Sequence, residues 1–112
     1  MTQHDETIRL HHMLIHAREA IALTKSRGED ACRSDRVLQL ALVRLVEVIG
    51  EAASRVPPEI ADENPSIRWQ EIRGMRNRLI HGYDKIDLDV LWDTIRDDLP
   101  PLVKALERIV GD

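Results

Sequence analysis

Apolar residues recur along this chain with the period of an α-helix, in four stretches. From about Asp5 to Lys25, Leu10, Met13, Leu14, Ala17 and Ile21 fall at i, i+3, i+4, i+7 and i+11, one stripe of a helix. Gly28 and the charged residues around it mark a first loop. The second stretch runs from about Ser34 to Arg55, with Ser34 or Asp35 suited to cap its start. It is apolar over most of its circumference, and its polar residues gather on one line, Arg44, Glu47, Glu51 and Arg55. Such a helix lies at the centre of a core or faces a second chain. A chain this short has little interior to hide it, so a partner surface is expected as well. Pro57-Pro58 ends the helix, and a loop containing Pro65 follows. A third helix is predicted from about Ile67 to Ile80, ending at His81-Gly82 with Gly82 as a left-handed cap. The fourth runs from near Asp87 to Val110 on the stripe Leu88, Leu91, Ile95, Leu99, Leu102, Leu106 and Ile109. Pro100 and Pro101 remove helix hydrogen bonds inside it, which predicts a kink, or a break and restart, near Leu99. No strand-like alternation, internal repeat or linker is visible. The pattern predicts an all-α fold, an antiparallel bundle of four to five helices, as one domain over residues 1–112.

Composition sharpens this reading. Hydrophobic residues make up 43% of the chain, but aromatics only 3%, with no Phe. The core must rest on Leu, Ile, Val and Ala, which suits helix-on-helix packing. The single cysteine, Cys32, cannot form an intramolecular disulfide, so a reducing compartment is expected. The first residues lack a charged region followed by an apolar run, and no stretch approaches the roughly 18 apolar residues of a membrane span, so a cytoplasmic protein without a membrane partner is expected. The net charge of −4 argues against a general nucleic-acid binder with a basic surface. It leaves room for a local basic site. Between Ile67 and Gly82 stand Arg68, Arg73, Arg76 and Arg78 against one acid, Glu71, whereas Asp84 to Asp98 holds six aspartates against Lys85 and Arg96. The acidic run reads as a solvated helix face.

The chemistry gathers at Arg76-Asn77-Arg78-Leu79-Ile80-His81-Gly82-Tyr83. On an ideal helix with about 100° per residue, Ile72, Met75 and Leu79 face the core while Arg76, Asn77 and His81 line a separate patch. Arginine offers a planar fork of donors that matches phosphate oxygens and stays charged. Histidine titrates near about 6.5 and can take or give a proton around neutrality. Asn77 can orient the imidazole or a ribose, and Tyr83 can donate to a phosphate or stack on a base. RNA carries its own nucleophile, the 2′-hydroxyl, so one cation and one acid/base group could suffice without metal or cofactor. Spacing alone does not decide the matter. A surface arginine and a histidine favoured by the dipole of a helix C-terminus give the same pattern.

Beyond that octet, Glu47-Val-Ile-Gly50-Glu51-Ala52-Ala53, Ile67-Arg-Trp69-Gln-Glu-Ile72-Arg-Gly74-Met75-Arg76-Asn77, Leu88-Asp89-Val90-Leu91-Trp92 and Asp98-Leu99-Pro100 form a set that covers essentially the whole chain. Together with Arg76-Asn77-x-x-x-His81-x-Tyr83 it resembles the HepT-like branch of the HEPN superfamily. The resemblance implies a helical bundle that forms a homodimer, bringing the Arg/His motifs of two subunits to one cleft. Whether dimers assemble further stays open. It implies a metal-independent endoribonuclease, the toxin of a type VII toxin–antitoxin system, with Arg76 and His81 as catalytic residues and Asn77, Tyr83 and Glu51 in support. It implies an MntA-type nucleotidyltransferase antitoxin as partner, which silences the toxin by transferring AMP to Tyr83. The alternative is a non-catalytic HEPN module that partners a minimal nucleotidyltransferase. A bare dimerisation bundle is a third reading, which leaves the arginine cluster unexplained.

Other residues carry their own alternatives. Glu51 could reach the site from the neighbouring helix, or Glu47 and Glu51 could simply pair with Arg44 and Arg55 at helical spacing. Arg73 and Arg78 could guide RNA or be solvated. His4, His11, His12 and His16 read as a solvated helix face, since no completing ligand stands at a known metal spacing. Trp69 and Trp92 read as core or interface anchors. Cys32 is expected in a loop and not as a nucleophile.

Overall fold

The computed structural model describes residues 3–82 and 85–111, with side chains from Thr7 onward. Three long helices build the core: α1 (Gln3–Ser34), α2 (Arg36–Ser54) and α7 (Leu99–Val110). Helix α1 packs along α2 and, less extensively, along α7. The predicted stripe is the buried one, with Leu10, Met13, Leu14 and Ala17 meeting Leu42, Val46 and Ile49 of α2 and Leu99, Leu102 and Leu106 of α7 in one cluster. The all-α bundle expected from the pattern is therefore the observed architecture.

Gly28 interrupts α1 as a break and not as a loop. Its φ of +83° is open to glycine at little cost, and the chain resumes a helical course to Ser34. Cys32, expected in a loop, is thus on a helical turn and buried, and burial pushes its thiol pKa up. Asp35 is the N-cap of α2. Its carboxylate accepts from the Leu38 amide at 3.2 Å and from Arg27 Nη2 at 2.8 Å. The helix-start hydrogen bond, then Arg27, hold the Asp35 carboxyl below the usual carboxylate range. Gln39 is buried in α2, but its amide donates to the Cys32 carbonyl at 3.0 Å, so it brings no unpaired group into the core.

Between α2 and α7 the chain is broken into short pieces. Pro57 and Pro58 end α2 as expected and also begin α3 (Pro58–Glu63), because proline at a first helical position loses no hydrogen bond that a helix would make. The single third helix predicted over 67–80 is instead α4 (Trp69–Arg73) and α5 (Met75–Leu79), divided at Gly74. The chain then extends into β1 (Ile80–His81), which pairs antiparallel with β2 (Lys85–Ile86), Ile80 opposite Ile86 and His81 opposite Lys85. Gly82 does adopt a left-handed φ of +65°, but after the hairpin's first strand; the residue that follows α5 is Ile80 in extended conformation. Two residues per strand are too few for alternation to reveal. Helix α6 (Leu88–Asp93) runs into a π-helical turn (Thr94–Asp98), and α7 restarts at Leu99 with Pro100 and Pro101 in its first turn. The break expected near Leu99 is present, and its form is a widened turn. Gly111, with φ +75°, closes α7 as a left-handed cap whose amide donates to the Glu107 carbonyl at 2.9 Å.

Candidate functional site

The expected site residues lie on the broken segment, held against the long helices. Helix α4 crosses α2 at Gly50. A Cβ there would stand 3.3 Å from the Ile72 carbonyl oxygen and 3.6 Å from that of Arg73, so only glycine lets the two backbones approach this closely without displacement. Two further ties fix the approach. Arg73 Nε donates to the Ala53 carbonyl at 3.2 Å, and its guanidinium carbon lies 5.9 Å from the centre of the Trp69 ring. Trp69 is a core anchor, as expected, and its indole N–H donates to the Asn64 carbonyl at 3.0 Å.

From this platform Arg76 reaches Glu47 on α2, with Nε donating to Oε2 at 3.0 Å. The arginine side chain is 50% exposed and Glu47 25%. Only Nε is taken by this bond, so the guanidinium keeps its two Nη groups for an anion. Glu51, expected in support, is exposed and lies 3.7 Å from Arg44, so its partner is on its own helix. The acid that meets the motif arginine is Glu47, one turn earlier.

His81 departs from the expected geometry. Because the helix ends at Leu79, His81 is on β1 and not one helical turn beyond Asn77. The anticipated single-helix patch of Arg76, Asn77 and His81 is not formed, although all three are exposed. His81 Nε2 instead faces Asp87 Oδ2 at 3.4 Å. The same carboxylate caps α6, Oδ1 accepting from the Val90 amide at 3.1 Å. That capping bond, then the His81 contact, hold the Asp87 carboxyl below the usual range. Asp87 was not anticipated from the sequence. Its signal was an aspartate directly before an apolar run, an N-cap pattern hidden inside an acidic stretch. His81 also shares a shallow depression with Arg33, Lys85 and Asp89. Arg33 there bridges Asp89 at 2.7 Å and Glu29 at 2.9 Å. Arg76 is not part of that depression, and among the described residues no hydrogen bond or ion pair joins Arg76 to His81. Tyr83 lies outside the described residues.

The other candidates have structural partners. Arg78 Nη2 approaches the Glu71 carbonyl at 3.4 Å, and Arg68 bridges the Glu71 carboxylate. His11 and His16 each place Nδ1 against a carbonyl one turn back, at 2.9 and 2.7 Å. Among the described residues no group of three or more His, Cys, Asp or Glu side chains is placed to hold a metal ion, and no helix is long and apolar enough to cross a membrane.

The arrangement offers a phosphate-sized donor fork on one short element and a titratable ring on the next, each steadied by a carboxylate from a helix. Comparison with known proteins points the same way. A family profile described as ribonuclease HepT-like matches residues 13–109. The Methanocaldococcus jannaschii protein named Putative RNase MJ0125 is 31% identical over 112 residues, which is 100% of this chain and 97% of that one. Probable ribonuclease HepT of Thermococcus cleftensis is 36% identical over 95 residues, 81% of this chain and 86% of that one. Putative RNase TTE0752 of Caldanaerobacter subterraneus subsp. tengcongensis is 35% identical over 101 residues, 90% of each. No solved structure matches this chain significantly.

Proposed function

The chain belongs to the HepT-like ribonuclease family, and from that premise we propose that it is a metal-independent endoribonuclease serving as the toxin of a HepT/MntA-type pair. The observation that carries this reading is the state of Arg76. It is ion-paired through one nitrogen only, half exposed, and five residues from an exposed imidazole. In the reaction a 2′-hydroxyl attacks the adjacent phosphorus and the 5′-oxygen leaves. Arg76 binds the non-bridging oxygens and stabilises the charge that builds on them. His81 takes the 2′-hydroxyl proton or supplies one to the leaving oxygen. Asn77 positions the ribose or, across a dimer, an imidazole, and Glu51, which pairs with Arg44 on its own helix, is the weakest of the supporting candidates.

One histidine cannot be base and acid in the same step, which favours a dimer. A surface for it is available. Val37 and Leu40 of α2 are 76% and 50% exposed, large apolar side chains in water. On a helical projection they share a sector of under about 90° with Arg44, Glu47 and Glu51. A second copy covering Val37 and Leu40 would face the Glu47–Arg76 pair as well, and two His81 rings could then divide the proton transfers. Silencing by an MntA-type nucleotidyltransferase would place AMP on Tyr83. A phosphate two residues from His81 would engage Arg76 and repel RNA.

The test is RNA cleavage by the wild type, Arg76→Ala and His81→Ala. Loss of roughly a hundredfold or more in each, with unchanged folding, is expected of a cation and a proton-transfer group. Products should end in 2′,3′-cyclic phosphate and EDTA should not inhibit. Retained cleavage in both variants refutes the site. RNA binding without cleavage by the wild type favours the non-catalytic HEPN module.

A further inference from the structure

We infer that Asp87 is a positioning residue for His81, fixing the ring with Nε2–H toward α6 and leaving Nδ1 as the atom that exchanges protons with RNA.

The geometry is that of one carboxylate divided between two tasks. Oδ1 accepts the Val90 amide at 3.1 Å and so cannot swing away without uncapping α6. This leaves Oδ2 aimed at His81 Nε2 across 3.4 Å. The Asp87 amide in turn donates to the Leu79 carbonyl at 2.7 Å, next to the Ile80–Ile86 pair of the hairpin. The aspartate is therefore anchored at its backbone and at one oxygen before it meets the ring. Its other oxygen is an acceptor only, so it selects the tautomer with hydrogen on Nε2. The gap is long for a charge-assisted bond and is of the kind that closes when substrate binds. Asp87 touches no reacting atom. It acts on the reaction through the orientation, tautomer and positive charge of the imidazole, as the buried aspartate of hydrolase triads does.

This inference takes its kinetic consequence from the ribonuclease reading, but the tautomer can be read without RNA. Asparagine caps helices as well as aspartate, and capping requires its carbonyl to face Val90. In Asp87→Asn the NH2 group must then face His81, which calls for an unprotonated Nε2 and moves hydrogen to Nδ1. In Asp87→Ser the cap survives and the ring loses its partner. The experiment is ¹⁵N NMR of the His81 imidazole in the full chain, with circular dichroism to establish folding, followed by steady-state cleavage kinetics. The expected result is Nε2–H in the wild type and a population shifted to Nδ1–H in Asp87→Asn. The expected kinetic result is a kcat lowered roughly tenfold to a thousandfold with KM unchanged, by analogy with tautomer-inverting changes in triads. Asp87→Ser should fall between wild type and Asp87→Asn. A tautomer unaltered by Asp87→Asn overturns the inference, as do equal kcat values for the three folded proteins. If the wild type cleaves no RNA, the ribonuclease reading fails and the tautomer alone decides the role of Asp87.

Discussion

The long helices and the broken segment between them solve opposite problems. In α1, α2 and α7, side chains such as Met13, Leu14, Leu42, Ile49, Leu99 and Leu106 are fully buried in one cluster. Among the described residues from Pro58 to Asp98 no element exceeds six residues, and the motif side chains Arg76, Asn77 and His81 are exposed. Isolated helices this short do not hold themselves in water. They persist because Trp69, Ile72, Met75, Leu79 and Leu91 plug into the core. The lesson is a division of labour. Long helices supply burial, and short ones supply changes of direction, which let neighbouring residues such as Arg76 and His81 reach different helices.

If that division is real, stability and chemistry should separate under mutation. Leu42→Ala removes a fully buried side chain from the long-helix core and should lower unfolding free energy by about 2–5 kcal/mol. Denaturant titration reads this, and at temperatures where the variant stays folded its cleavage rate should be near that of the wild type. A large rate loss in the folded variant would break the comparison. Glu47→Gln should do the reverse. The amide still accepts from Arg76 Nε, but without a charge to fix the fork, so cleavage should fall roughly tenfold, near 1.4 kcal/mol in barrier, with little change in melting. Melting that falls with activity would assign Glu47 to the scaffold. The smallest effect is expected at the joint between α1 and α2, where Asp35→Ala removes a cap and the Arg27 partner. It should lower the melting temperature by a few degrees at neutral pH. Since folding depresses the Asp35 carboxyl, its stabilisation is complete above the ordinary value of about 3.9 and fades as pH falls through the depressed one. The difference between variant and wild type should therefore shrink in acid, and a gap constant from neutral pH to strong acid would exclude a titrating cap.

The long helices were legible because burial repeats. Leu10, Met13, Leu14 and Ala17 announce their face several times over, as do Leu99, Leu102 and Leu106. The broken segment was legible in content but not in form. Arg76 and His81 stood out as residue types, and their motif is what resembles the family. Their placement did not, because a helix of five residues shows barely one period. A periodic reading carried α5 through Ile80 and His81, while the chain turned extended to pair with Lys85 and Ile86. The same limit hid α3, where Pro57-Pro58 reads as a stop although Pro58 also begins a helix. Carboxylate partners were the least legible. Helical spacing pairs Glu47 with arginines on its own helix, yet it meets Arg76 from another element. Asp87 was one of six aspartates in a run that read as a solvated face.

The widened turn at Thr94–Asp98 has a consequence for how the gene can vary in length. Each hydrogen bond there spans one residue more than in an α-helix. Arg96 and Asp97 are exposed and bonded mainly to each other, at 2.7–2.8 Å, so exchanging their side chains should matter little. Deleting either would let the turn close to an ordinary α-helical one, which takes up the missing residue and leaves the downstream helix close to its original rotation. Leu102 and Leu106 should then keep facing the core. At this point the chain tolerates both a new spelling and a missing letter.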